Sequence, residues 1–413
     1  MTGESQDPKL DEELLQTGLQ LQAIFMPQAK RHRDEAYERL KKEGNTDGQL
    51  RFVHYTSAEA ALSIIRTKRM WMRNTTCMSD YREVQHGFDI LDKFFSDKSK
   101  ADSFVAALDA CVQGVAEEGL DLFRSRRKDV RWNTYVTSVS EHEQSENKHG
   151  RLSMWRAFGG GAVRVAIVLK VPKFSQGLNA LSMLFSPVSY LSENEVHAVV
   201  QEVIQNIRAN REFLRSVNRE IVRLTVFYML VAGVTCLKHE GFREEREWRA
   251  LYLPILRPST LIDSSTEVVN GVPQLVYKVP LDQSVSPALA DLDFSQIFDH
   301  LIIGPSSYPW VLFETFTREL AKAGIPLLRS RSGILIFPYE PERAPNRDKR
   351  ALLFFFHPRL GLYEFSPVDP APRPFLDRGS ANIAFDGVDV SSDYFVAVHF
   401  VEGIALRTLY FIH

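Results

Sequence analysis

Apolar residues recur at helical spacing over residues 9 to 45. Leu14, Leu15, Leu19, Leu21, Ile24 and Phe25 precede the mixed-charge stretch RHRDEAYERLKKEG, which ends at Gly44. Pro27 interrupts this pattern and breaks or kinks the helix. From Phe52 the period shortens. RMWMRN, NTYVTSVSE, VRVAIVLKVP, REWRALYLP and HLIIGP are β-branched and aromatic enough to predict strands. Helices are predicted between them at about 81–96, 101–122, 192–216, 217–237 and 308–323. The order is not a regular βαβ alternation, and neither GxGxxG nor GxxxxGK[ST] occurs, so neither Rossmann nor P-loop chemistry is supported. A mixed α+β domain over 51–340 is expected, after a helical N-terminal extension over 1–50. PYEPERAPNRDKR, Pro338 to Arg350, reads as a linker, and 351–413 reads as a small β-rich C-terminal appendage.

Composition narrows the class. The 413 residues are 44% hydrophobic and 25% charged with a net charge of -2, values of an ordinary globular chain and not of one that coats nucleic acid. The basic run RSRRKD, Arg124 to Asp129, reads as a solvated helix end. Cys77, Cys111 and Cys236 are too few and scattered for a disulfide framework or a zinc site. With the acidic N-terminus MTGESQDPKLDEELLQ, which lacks an apolar signal core, they point to a cytoplasmic protein. The longest apolar run, Leu224 to Leu237, is too short to span a bilayer, so it is expected to be a buried helix and no membrane partner is expected.

Candidate chemistry centres on RFVHYTSAEAALSIIRTKRMWMRN, Arg51 to Asn74. Thr56 or Ser57 can cap the helix that follows the strand, Thr56 forming a capping box with Glu59. That leaves His54 unexplained, since a β-branched residue would suit the strand better. A histidine beside a helix N-terminus can instead donate to or accept from a ligand. In NTTCMSDYREVQHG, Asp80 and Glu83 suit a helix start or orient neighbouring ligand-binding groups. SMWRAFGGGAVRVAIVL sets Trp155 on a short helix before a glycine turn at 159–161. In GFREEREWRALYLP, alternation puts Glu245, Glu247 and Arg249 on one strand face. That face is costly to bury unless paired, so water or a polar cleft is expected beside it.

Together, His54-Tyr55-Thr56, Met70-Trp71, Asp80 with Glu83, Met154-Trp155 and Glu245-x-Glu247-Trp248-Arg249 resemble the ordered motifs of a widespread bacterial family of uncharacterised proteins, over Phe52 to Pro338. Ser79 and Tyr81 depart from that family's Asn and Pro around Asp80. The outline also resembles ADP-ribosyltransferases, particularly toxins that modify nucleic acid. This second resemblance implies a split β-sheet core and NAD as substrate. It implies that His54 holds a ribose, Tyr55 or Trp71 stacks on nicotinamide, and Glu247, with Glu245 as alternate, stabilises the cation left when nicotinamide departs. Tyr55 and Thr56 would then belong to the cofactor site, with Asp80, Glu83, Trp155 and Arg249 in support. A toxin or phage-defence effector acting on nucleic acid or protein is the function so implied. Two alternatives stand beside it. One is a metal-dependent nuclease with Asp80, Glu83 and Glu247 on magnesium and His54 as base. The other is a non-enzymatic sensor that binds a nucleotide or peptide.

Overall fold

The computed structural model describes residues 8–44, 49–77, 81–157, 163–172, 175–269, 271–325, 333–336, 353–357, 361–366, 369–374, 396–401 and 404–406. The chain divides into two compact units, Met1–Leu327 with Ser332–Pro338, and Leu328–Arg331 with Tyr339–His413.

The first unit opens with α1 (Pro8–Phe25) and α2 (Pro27–Lys42), separated at Met26. Pro27 occupies the first helical position of α2, where its missing N–H costs nothing, so the predicted break is a fresh helix start. Strand β1 (Gln49–Ser57) leads through α3 (Ala58–Thr67) into β2 (Arg69–Asn74). Three helices follow: α4 (Tyr81–Ser96), α5 (Lys98–Asp109) and α6 (Val115–Trp132). The single helix expected over 101–122 is therefore two. Gly114 takes φ +76, and the Asp109 side chain accepts its N–H at 3.1 Å, closing a turn between them.

After β3 (Tyr135–Glu141) come α7 (Leu152–Ala157), β4 (Arg164–Pro172), α8 (Gln176–Ala180), β5 (Leu184–Pro187) and β6 (Ser189–Tyr190). The stretch expected as one helix over 192–216 is α9 (Glu193–Ala209) and α10 (Arg211–Ser216), broken at Asn210, whose side chain donates to the Asn206 carbonyl. The apolar run is the buried helix α11 (Arg219–Thr235), followed by β7 (Leu237–Lys238) and β8 (Glu247–Tyr252). The hairpin β9 (Asp263–Val269) and β10 (Val272–Pro280), then α12 (Phe294–Ile297), β11 (Phe298–Ile303), α13 (Pro309–Lys322) and β12 (Gly333–Ile336), complete the unit.

Among the described residues, ten strands form one largely antiparallel sheet in the order β12-β11-β4-β1-β3-β2-β10-β9, with β8 pairing β3 and β5. The sheet forks at β3. One of its edges pairs with β8 from Tyr135 to Ser140. The other edge meets β1 only at Ser140 and Glu141, and β2 only at Tyr135 and Val136. Between those ends β1 and β2 diverge into separate branches, bridged by α3. Val165, Ile167 and Leu169 of β4 pack with Met70, Met72, Ile64 and Phe316 on one face.

A second core joins α1, α4, α5, α6, α9 and α11 beside the sheet. Helix α11 is its axis, and glycines bring its neighbours close. A β-carbon on Gly87 of α4 would lie 2.8 Å from the Val234 backbone, and one on Gly119 of α6 would lie 2.7 Å from Val226. The basic run on α6 is spent on ion pairs, Arg124 with Asp121 and Arg126 with Asp129 along the helix and Arg127 with Asp92 on α4. Among the described residues no helix is long and apolar enough to cross a membrane.

The second unit holds an antiparallel sheet of β13 (Leu353–His357), β14 (Gly361–Ser366), β15 (Asp369–Pro374), β16 (Val396–Val401) and β17 (Ile404–Leu406), in the order β15-β14-β13-β16-β17. The linker read at 338–350 lies outside the described residues.

Candidate functional site

His54 stands at the fork. Where β1 leaves β3, the Ser138 carbonyl points at no strand partner on that edge, and His54 Nδ1 lies 2.9 Å from it. A carbonyl only accepts, so Nδ1 carries the proton and donates. Desolvation lowers the pKa of the partly exposed imidazole, keeping it neutral, although the Ser138 bond opposes that shift. By alternation His54 shares the face of Phe52 and Thr56, opposite Leu169 and Val165 of the core. The helix cap belongs to Ser57, whose side chain accepts from Ala60 N at 3.1 Å. Thr56 is still in the strand, paired with Val165, so the capping box with Glu59 does not form.

Glu247 opens β8 on the opposite face, with Ser138 and Arg249. Its Oε1 accepts from Ser138 Oγ at 2.5 Å and Arg249 Nε at 2.8 Å. Its Oε2 accepts from Arg249 Nη2 at 3.2 Å and Lys238 Nζ at 3.4 Å. The three charged side chains are buried. Burial pushes the carboxyl up, but the Arg249 charge and hydrogen bond, Lys238 and Ser138 outweigh it and hold the pKa at about 2. The expected acidic strand face is thus an internal ion-pair network. Glu245 lies outside the strand, in the 3-10 turn Glu240–Glu245, because Arg246 turns the backbone at φ 44. It still shares Lys238, at 2.7 Å.

The other predicted residues fall into separate places. Tyr55 and Trp155 meet edge to face at 4.8 Å; Tyr55 Oη accepts from Arg151 N at 2.7 Å, and Trp155 Nε1 donates to the His149 carbonyl. Both rings are buried against β4 and β11 and offer no open face. Trp71 lies on the β2 branch under Lys278, whose Nζ is 5.1 Å from the ring centroid. Asp80, the glycine turn at 159–161 and the side chain of Glu83 lie outside the described residues. Ser138 therefore links His54 to Glu247, but through its carbonyl on one side and its hydroxyl on the other. The geometry brings together Glu247, Arg249, Glu245 and, through Ser138, His54. It does not gather Tyr55, Trp71 or Trp155 with them.

A cleft of about 590 Å³ opens between α2, α9 and the chain entering β8. Arg31 on α2 reaches across to Glu202 on α9 at 2.5 and 2.9 Å. Arg39, about two turns further along the same face, pairs with Glu141, which also accepts from Trp248 Nε1 at 2.9 Å. Arg246 pairs with Glu143. Arg243 donates to the Tyr190 carbonyl at 3.2 Å, and the Tyr190 hydroxyl accepts the Glu247 N–H at 2.7 Å. Glu35, Glu195, Glu247 and Trp248 also line the space. His32 on its wall is held neutral by burial, which lowers its pKa.

Of the predicted site residues that are described, only Glu247 borders this cleft. The sequence reading missed Arg31, Arg39, Arg243, Arg246, Tyr190, Lys238 and Ser138. One signal was there: Arg31, Glu35 and Arg39 repeat every four residues, one helix face of alternating sign. Such stripes usually face solvent, and only the packing of α2 beside α9 makes this one a wall. Among the described residues no group of three or more His, Cys, Asp and Glu could hold a metal ion.

Residues 154–250 match a family described as a protein of unknown function (DUF2971). The match takes in Met154-Trp155 and the Glu245 to Arg249 motif. No curated protein and no solved structure matches the chain.

Proposed function

We propose that this protein binds a phosphorylated, ribose-bearing small molecule in the cleft between α2, α9 and the start of β8, with NAD as the first candidate. The observation that carries this reading is the composition of the cleft: four guanidinium groups and several carboxylates around about 590 Å³, with Trp248 and Tyr190 at its base. The volume is that of a small-molecule site. A site for bare phosphate would be uniformly basic. A nucleotide needs both signs, since guanidinium forks match phosphate oxygens and a carboxylate accepts from the ribose diol. The ion pairs Arg31–Glu202 and Arg39–Glu141 supply both kinds of group.

Titration of the full chain with NAD, ADP-ribose and AMP by calorimetry tests the reading. Binding of at least one is expected, weakened about tenfold or more in Arg31→Gln or Arg243→Gln, the loss of one charge-assisted contact. A wild-type chain that binds none of the three at millimolar concentration overturns it.

The second reading is NAD-dependent ADP-ribosyl transfer, with a nucleic acid or protein acceptor and a toxin or phage-defence role. What favours it is an ionised Glu247 on the cleft wall and a sheet that forks at β3. Against it stand the four donors that already occupy that carboxylate and the position of His54 on the opposite face. Release of nicotinamide from NAD without added metal supports transfer, and bound but intact NAD leaves a sensor.

A further inference from the structure

We infer that the ligand of this cleft carries a short apolar arm, an alkyl or acyl group of about six carbons or fewer, held in a second space behind the charged walls. This rests on the cleft being a nucleotide site, and it names a subclass: nucleotides esterified with, or joined through phosphate to, a short-chain apolar group.

Behind α2 and β5 lies a cavity of about 110 Å³, bounded by α1, α4, α9 and α11. Gln28, Pro187, Leu191 and Val199 line both spaces, so the charged cleft and the apolar cavity share a wall. The inner end is made by Leu91, Met229, Leu230, Gly233 and Cys236. The pocket opens to solvent on one side, and apart from Gln28, Ser186 and Ser189 its lining is apolar, which suits a small apolar group. Gly233 adds an independent sign of open space, because a β-carbon there would meet only Leu91, at 3.5 and 4.0 Å. A well-packed helix–helix contact fills such a site, as at Gly87 on the neighbouring helix.

Polarity separates the two spaces. The outer one offers guanidinium groups and carboxylates, the inner one methyl, methylene and thioether groups. A plain nucleotide uses only the first, since the polar edges of a base would find few partners in the second. An amphiphile uses both, with its phosphate on Arg31, Arg39 and Arg243 and its chain past Val199 toward Gly233.

The test compares the methyl and hexyl phosphodiesters of AMP, which carry the same charge and differ only in the arm, by calorimetry on the full chain. Each methylene buried is worth about fourfold in affinity, so partial burial predicts at least about tenfold tighter binding of the hexyl ester. Gly233→Leu, which fills the cavity without touching the cleft, is expected to erase that gain while leaving the methyl ester unchanged. Equal affinities of the two esters for the wild-type chain, or a gain that survives in Gly233→Leu, overturn the inference while the nucleotide reading stands. If neither ester binds, the nucleotide reading itself fails. The wild-type comparison needs no variant to fold.

Discussion

Replacing Glu247 by Gln would remove the carboxylate that the buried Arg249 and Lys238 share, leaving Lys238 its pair with Glu245. Breaking a buried ion pair from one side costs about 3–5 kcal/mol, so Glu247→Gln is expected to lower the denaturation midpoint strongly, whatever it does to ligand binding. An unchanged midpoint in urea would show that the network is dispensable to the fold. At the adjoining helix, Ser57→Ala should cost about 1 kcal/mol as the loss of a cap, and Thr56→Ala distinctly less. The reverse order in a melting series would return the cap to Thr56.

His142 adds to the acid sensitivity that His54 and His32, whose imidazole pKa values are also lowered, confer. Burial, the neighbouring His300 and Arg51 lower its pKa to about 3, against the partial support of Asn147 and Asp299. A folded pKa below the ordinary 6.5 means that the unfolded chain binds the proton first, so stability is full above about 6.5 and falls as pH drops toward 3. Glu247, depressed to about 2, adds a loss of the same sign at lower pH. His142→Gln should therefore partly flatten the melting temperature between pH 6.5 and 4. A pH profile as steep as that of the wild type would remove His142 as a cause.

Element boundaries were set by single residues with local geometry. Gly114, Asn210 and Pro27 each end or restart a helix, and the helical period alone passes over the first two because the apolar spacing continues across the turn. Strand β8 begins at Glu247 because Arg246 adopts a left-handed conformation, which a strand pattern read from Glu245 does not reveal. Packing between elements is the other constraint. Gly87→Ala gains about 1 kcal/mol of helix propensity but drives a methyl group into the Val234 backbone at 2.8 Å, an overpacking cost of about 1–3 kcal/mol. A lower melting temperature is expected, and a rise would show that α4 and α11 separate freely.

On the scale of the molecule, the described hydrophobic clusters lie within the first unit, whose last strand, β12, pairs in parallel with β11. A chain ending at Pro338 keeps those clusters and that strand, so it is expected to melt cooperatively and retain the ligand affinity of the cleft. A fragment that is insoluble or lacks a cooperative transition would show that residues beyond Pro338 are required.

Strand content, the helical lead-in and the mixed α+β class were legible from residues 9 to 325 because side-chain period is a local property of the backbone. RMWMRN became β2 at its own bounds, and the apolar run became α11. His54 was legible as unusual, but its partner was not, since the unpaired Ser138 carbonyl exists only where β1 and β2 diverge from β3. Glu247 and Arg249 were legible as a polar strand face. Whether that face meets water or a counter-charge depended on Lys238, nine residues away in the chain, and on Ser138 on another strand. The cleft was the least visible feature, because its walls come from helices far apart in sequence whose charged faces look like solvated ones. Local pattern fixes which face a residue takes, and only long-range packing decides what that face meets.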